Sequence, residues 1–206
     1  SKMSDKSALW IALYTVVAVF GVGLNVIVLY AFVKGRLACD KSSSTIYILA
    51  LQTLCVDVVF ISIHLIYWIP KAVYPEYLSL SEADWFIPRM ADFLGTFAWF
   101  HNALSHVFIA SNRFVVLVFN RSFSRQQVIL IAIFHHILAA ALTIITQFVI
   151  PCCRLSFNFS IFSYINVPNG SIPNYSDVIF LVPVNVLSTT TSLICYTAVS
   201  FPPQYV

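Results

Sequence analysis

The sequence ALWIALYTVVAVFGVGLNVIVLYAFV, from Ala8 to Val33, contains no charged residue. A helix needs roughly 20 mostly apolar residues to cross the hydrocarbon core of a bilayer, so this run is long enough. Its residues do not alternate between apolar and polar, as they would in a strand of a transmembrane barrel. The run is also too long for a signal peptide, and no cleavage pattern of small residues precedes Lys34. It therefore predicts a first membrane-spanning helix.

Four further apolar runs follow along the chain. We predict spans over 45–69, 90–119, 128–150 and 178–199, which with 8–33 make five. Composition agrees, because 60% of the 206 residues are hydrophobic and only 9% are charged, whereas about a quarter are charged in soluble domains. The net charge of +3 is too small and too dispersed to indicate a nucleic acid partner. The predicted fold class is an all-α polytopic transmembrane helix bundle, with one domain over residues 1–206 and the lipid bilayer as its surroundings.

Basic residues in the connecting segments predict the orientation of the bundle. Six of them crowd into the short connections after the first and third spans, namely Lys34, Arg36, Lys41, Arg113, Arg121 and Arg125. Lys and Arg concentrate in cytoplasmic loops. The five basic residues on the other side are more dispersed. We therefore expect both connections in the cytoplasm and the N-terminus outside.

The loop between the fourth and fifth spans contains three Asn-x-Ser patterns, at Asn158, Asn169 and Asn174. This pattern is the acceptor for N-glycosylation, which occurs in the lumen. The patterns thus agree with the charges in placing this loop outside, and they predict a glycoprotein. The alternative, in which Asn and Ser merely enrich a loop, stays open. A fourth pattern at Asn120 would face the cytosol and remain unmodified.

Three polar side chains lie inside predicted spans where burial is costly, namely Asn25, Asp57 and Asn102. Such residues face the bundle interior and often mark function. In one interpretation they form a polar cluster that joins three helices and binds a cation or a proton. In the other they only hydrogen-bond between helices, which contributes about 1 kcal/mol per contact. Both interpretations are compatible with the sequence.

Histidines suggest a candidate pocket in the third span. His101 and Ser105 lie one helical turn apart, as do Asn102 and His106, so this span has two polar stripes. We predict that His101, Ser105 and His106 line a ligand pocket or form interior hydrogen bonds.

The sequence gives little support for a metal site or an enzyme. The pair His135-His136 has no Glu, Asp or Cys at a spacing suited to metal binding. We therefore predict no metal, no cofactor and no catalytic residues. Cys152 and Cys153 lie at the outer end of the fourth span, where disulfides can form. Pairing with another chain and burial as free thiols are both open for them.

The end of the third span reads NALSHVFIASNRF over 102–114. Its last three residues, Asn112, Arg113 and Phe114, resemble the Asp-Arg-Tyr position of rhodopsin-like G-protein-coupled receptors. The whole stretch is similar to the third helix of the nematode serpentine chemoreceptors of the Srx class. The Gly21-x-x-x-Asn25 spacing, Asp57 and the Cys152-Cys153 pair agree with this resemblance.

The resemblance implies a seven-helix receptor that senses a small molecule and activates a heterotrimeric G protein. Asn112, Arg113 and Phe114 would form the coupling site, with Asn112 in place of the usual acidic residue. The resemblance also implies the plasma membrane of sensory neurons and allows a receptor dimer. Because the chain shows five spans, we expect a family member truncated after helix 5. The alternatives are a non-signalling fragment that associates with full-length receptors, or a transporter subunit, for which a broken helix or paired intramembrane charges would be expected.

Overall fold

The structure is a computed structural model that describes residues 5–35, 44–74, 86–121, 123–150, 155–158, 163–166 and 174–200. Its α-helices are α1 (Asp5–Lys34), α2 (Ser44–Ile63), α3 (Ile69–Val73), α4 (Phe86–Val118), α5 (Arg125–Ile144) and α6 (Val182–Ser200). Three π-helical segments extend them: His64–Trp68 joins α2 to α3, Ile145–Val149 follows α5, and Asp177–Leu181 precedes α6. The long helical segments coincide with the five predicted spans, and α4 begins four residues before the predicted start at Met90.

Four of these segments are long and apolar enough to cross a membrane, namely Ala8–Lys34, Tyr47–Val73, Arg125–Val149 and Asp177–Ser200. The remaining long helix, α4, has 33 residues and is more polar. It contacts α2, α5, α6 and the hairpin described below. Its polarity follows from this central position, because several of its polar side chains point into the bundle and are buried, among them Thr96, His101, Ser105 and Asn112.

The outer surface of the bundle is apolar. On α1, for example, Val16, Val17 and Phe20 each expose more than half of their side-chain surface. Lipid tails are as apolar as these side chains, so a bilayer solvates this surface without cost. The distribution, polar inside and apolar outside, is the one that a membrane protein requires.

A short β-hairpin lies between α5 and α6. Strand β1 (Leu155–Asn158) pairs antiparallel with β2 (Ser163–Asn166), with Leu155 opposite Asn166. Leu155 and Phe157 alternate with less buried residues, so β1 packs one face against the bundle. The sequence did not predict these strands, since four residues are too few for a reliable alternation pattern. The all-α prediction therefore holds for the bundle and not for this loop.

The described residues between α4 and α5 include a left-handed residue and a helix cap. Asn120 has φ 49, a left-handed conformation that Asn adopts more readily than most residues. The Ser124 hydroxyl then accepts from the Gln127 N–H at 3.3 Å, and the Ser124 N–H donates to the Gln127 side chain at 2.8 Å. This reciprocal capping box fixes the start of α5.

Candidate functional site

The structure joins two of the three residues of the predicted intramembrane polar cluster. Asn102 Nδ2 donates to Asp57 Oδ1 at 2.8 Å, which links α4 to α2. Asn25 is half-buried on α1, and within the described ranges its side chain has no hydrogen bond. The cluster is therefore a pair, and α1 does not contribute to it through hydrogen bonding in this part of the chain.

Three further contacts complete a polar layer across α2, α4 and α5. Thr53 Oγ1 on α2 donates to Ser105 Oγ on α4 at 3.0 Å. Gln52 Nε2 lies 2.9 Å from His135 Nδ1, and His135 Nε2 lies 2.8 Å from the His101 carbonyl oxygen. An amide nitrogen can only donate, so we assign Nδ1 of His135 as the acceptor and Nε2–H as the donor. His135 thereby ties α5 to both other helices.

His101 lies at the centre of this layer. Its ring is fully buried and stacks on the ring of His135, with centroids 4.0 Å apart and an interplanar angle of 20°. The ring of His136 meets it edge-on at 4.7 Å. Neither ring nitrogen of His101 has a hydrogen-bond partner among the residues that the structure describes. Gln52 Oε1 and Asn102 Oδ1 of the same layer are likewise unsatisfied among the described residues, and buried polar atoms of this kind call for an explanation.

The three residues of the predicted ligand pocket do not lie together. His101 and Ser105 are buried in the bundle, whereas His106 is exposed on another face of α4. The stripe of His101 and Ser105 faces the bundle interior along its length. The stripe of Asn102 and His106 does not, because His106 is exposed. No cluster of three His, Cys, Asp or Glu side chains suited to a metal ion occurs in the described part of the chain.

The β-hairpin covers one end of the bundle, which we call the hairpin end. Phe157 of β1 stacks on Trp68 at 4.9 Å, and Tyr164 of β2 lies 6.1 Å from the ring of His64. His64 and Trp68 belong to the π-helical segment after α2. The wider turn of a π-helix brings both aromatic side chains toward the hairpin, and such segments often occur at functional sites.

Hydrogen bonds to α4 and α5 hold the same hairpin. The Phe157 N–H donates to Asp92 Oδ1 at 3.2 Å. Gln147 Nε2 lies 2.6 Å from Thr96 Oγ1 and 3.0 Å from the Leu155 carbonyl oxygen, and it donates to both. No sequence pattern predicted that these side chains hold a hairpin. The available signal was that Asp92, Thr96 and Gln147 are polar residues near the same end of neighbouring spans.

Tyr164 fits against a glycine. A Cβ at Gly95 would overlap the Tyr164 phenol, so the absence of a side chain at position 95 is what admits the ring. Burial raises the pKa of the Tyr164 phenol above its ordinary value of 10.0. The phenol is therefore neutral at physiological pH and behaves as part of the packed interface.

The opposite end of the bundle carries Asn112, Arg113 and Phe114, and we call it the Asn-Arg-Phe end. Asn112 is 4% exposed, and neither polar atom of its side chain has a partner within the described ranges. Arg113 is exposed, with its guanidinium 5.8 Å from the centre of the Tyr196 ring on α6. Phe114 packs edge-on against Phe119. Consecutive residues of one helix thus point one polar side chain inward and one cation outward.

Two of the remaining predicted positions are among the described residues. Asn158 is half-buried in β1. Asn174 precedes the last helical segment, and its Oδ1 accepts from the Asp177 N–H at 3.0 Å. Asn169, Cys152 and Cys153 fall outside the described residues.

This arrangement is the fold of rhodopsin-like receptors. The structure is similar to the crystal structure of squid rhodopsin, with a TM-score of 0.73 and 14% sequence identity over 97% of this chain and 57% of that chain. At this identity the likeness concerns the fold alone. The chain spans little more than half the length of squid rhodopsin.

The family follows from the sequence itself. Residues 15–202 match the profile of the serpentine-type seven-transmembrane G-protein-coupled chemoreceptors of the Srx class. The chain belongs to this family, which confirms the resemblance inferred from the third span. It is a multi-pass membrane protein with a receptor fold, and the family is not one of enzymes. No match occurs among proteins of curated function.

Proposed function

We propose that this chain acts as a chemosensory receptor that detects a small molecule and signals to a heterotrimeric G protein. The observation that carries the proposal is the exposed Arg113 at the Asn-Arg-Phe end, next to the buried Asn112. Family membership supports this end as the docking position for a G protein.

The surroundings of Arg113 suit such a role. Its described interaction is the ring contact with Tyr196, and it forms no ion pair within the described ranges. An exposed cation–π contact contributes only about 0.5–1 kcal/mol. The guanidinium can therefore leave the ring at low cost and donate several hydrogen bonds to carbonyl oxygens of a partner protein. Asn112 cannot hold Arg113 by charge, because an amide is neutral.

Ligand recognition is proposed for the buried side of α4. His101 and Ser105 face the interior, where a small molecule would contact α2, α4 and α5 together. A ligand shifts a conformational equilibrium only through its different affinity for the two states. An arrangement of α4 against α5 that changes the stacking of His101 on His135 would provide such a difference. His106 is left out of this proposal because it is exposed.

For orientation, we propose that the hairpin end faces outside and that the N-terminus lies on the same side. This rests on the basic residues at the opposite end and on the Asn-x-Ser patterns around the hairpin. Asn174 is the described acceptor just before a helix, whereas Asn158 is half-buried in a strand. Glycosidase treatment of the expressed protein should lower its apparent mass, and Asn174→Gln should reduce that shift. A band that does not move would contradict the orientation.

Signalling can be tested directly. The chain would be expressed with a G-protein reporter and exposed to a panel of volatile and water-soluble small molecules. We expect basal or ligand-driven activity that Arg113→Ala abolishes. Arg121→Ala is the matched control, because Arg121 is also exposed at this end of the bundle. Silence across the panel with good surface expression would contradict the proposal and favour a fragment that associates with full-length receptors.

A further inference from the structure

An apolar cavity of about 160 Å³ lies between α2 and α4. Its lining includes Cys55, Val56, Val59, Leu94, Phe97 and Ala98. Cys55 and Val59 are exposed, whereas Ala98 is only 3% exposed. The cavity therefore has an open rim on α2 and a closed floor on α4.

The polar layer closes one end of this cavity. Val56 and Val59 follow Gln52 by four and seven residues, so all three lie on one face of α2. Phe97 likewise precedes His101 by one turn on α4. Since Gln52 and His101 both contact His135 of α5, the cavity begins one turn beyond that contact, on the side of the hairpin end.

The cavity opens to the bilayer and not to water. Cys55 and Val59 lie within the span Tyr47–Val73, well inside both of its ends. The rim is on the same face of α2 as Gln52, which is the face toward α5. It is a different face from the one that carries Asp57, which is bonded to Asn102 in the interior. A molecule dissolved among the lipid tails would enter sideways.

Size and lining define the chemical class of the occupant. Apolar cavities of about 150 Å³ stay free of water and bind a molecule such as benzene. The lining offers hydrocarbon, the two aromatic rings of Phe60 and Phe97 and one thiol, with no charged group. A lipid acyl chain is too long to fit as a whole into a cavity of this size with a closed floor.

The geometry points to a binding site for small apolar molecules of about one ring, which reach it laterally from the bilayer. This site is separate from His101 and Ser105, so it goes beyond the receptor function proposed above. It is still adjacent to His101, because the ring of Phe97 lies 5.8 Å from the ring of His101 and 6.4 Å from that of His136. An occupant that moves Phe97 would disturb the contact between α4 and α5.

Photolabelling in lipid nanodiscs tests the site. The probe is 3-trifluoromethyl-3-phenyldiazirine, a small apolar aryl compound that inserts into neighbouring residues on illumination. We expect severalfold more insertion at Val56, Val59 and Phe97 than at Val16 and Val17. The two α1 residues are the internal reference, since they are exposed and apolar in the same molecule.

Two measurements decide the outcome. An excess of toluene should remove the label from the cavity and leave the label on α1 unchanged. Ala98→Phe, which fills the floor, should do the same, and unchanged α1 labelling with retained helix content would show that this variant is folded. Equal labelling of the cavity residues and the α1 residues would overturn the inference. A cavity label that toluene does not lower would also overturn it. Because toluene competes with the probe in the wild-type protein, this conclusion does not depend on the variant. Displacement by a change of lipid chain length and not by toluene would assign the cavity to an acyl chain and reject the site.

The experiment needs no signalling. A silent chain with selective labelling would reject only the proposed receptor function. A signalling chain without selective labelling would reject only the cavity.

Discussion

Gly95→Ala and Gly23→Ala are the same chemical change in two long helices, and the structure predicts different effects on stability. A Cβ at Gly95 would lie 2.5 Å from Cζ and 2.9 Å from Cε1 of Tyr164. The ring cannot easily retreat, because Phe157 meets it edge-on at 5.3 Å and Trp68 lies on another side at 6.5 Å. At Gly23 a Cβ would find nothing within 4 Å.

The magnitudes follow from these two environments. Removing a glycine from a helix interior stabilises it by about 1 kcal/mol. Overpacking a tight interface costs about 1–3 kcal/mol. Gly23→Ala should therefore stabilise the bundle by about 1 kcal/mol, whereas Gly95→Ala should be neutral or destabilising by up to about 2 kcal/mol.

A double-mutant cycle isolates the contact. In a Tyr164→Ala background the ring is gone, so Gly95→Ala should become stabilising like Gly23→Ala. The coupling between positions 95 and 164 should be about 1–3 kcal/mol. Unfolding in mixed micelles by increasing SDS, followed by tryptophan fluorescence, measures each variant. Equal effects of Gly95→Ala in both backgrounds would refute the packing of Tyr164 on Gly95.

Further predictions concern the polar layer and the hairpin. Asn102→Leu should lower stability by about 1 kcal/mol, because it removes the donor to Asp57; in the same SDS titration Asn25→Leu should have a smaller effect, and equal losses would contradict the pairing. Gln147→Leu removes both hydrogen bonds to Thr96 and β1, so amide exchange in the hairpin should become faster while exchange in α1 stays unchanged. Because burial raises the pKa of the Tyr164 phenol, the folded state retains that proton more tightly than the unfolded chain. The contribution of this phenol to the free energy of unfolding is therefore fully present below pH 10.0 and falls as the pH rises above that value. Tyr164→Phe should reduce this loss of stability at high pH. Identical pH profiles of stability for the wild type and the variant would count against burial of the phenol.

The helices could be predicted from sequence because a bilayer imposes a simple length requirement on apolar runs. The apolar sequence of α1 from Ala8 to Val33 leaves no other interpretation, and the helix extends over Asp5–Lys34. The family could be inferred from the short stretch at the end of α4, since Asn112 and Arg113 are polar side chains among apolar neighbours.

The partners of the polar residues could not be predicted in the same way. Asp57 and Asn102 were recognisable as buried polar residues, but their hydrogen bond depends on the relative height of α2 and α4, which no local pattern encodes. His106 shows the limit of helical spacing, because a period of 3.6 residues groups side chains into stripes without stating which stripe faces inward. The hairpin was missed because its strands are short and its stability comes largely from Trp68 and Asp92, which are distant in sequence.

The polarity of α4 has a consequence for how the protein is made. Polar side chains at the centre of a membrane helix make its insertion into the bilayer less favourable. Helix α4 carries His101, Asn102 and His106 near its middle, and alone among the five long segments it lacks the apolar character of a self-inserting span within the described residues. We expect α4 to enter the bilayer together with α2, whose Thr53 and Asp57 receive its polar face. A substitution on α2 can then block maturation of the receptor at the translocon, before any question of ligand or signal arises.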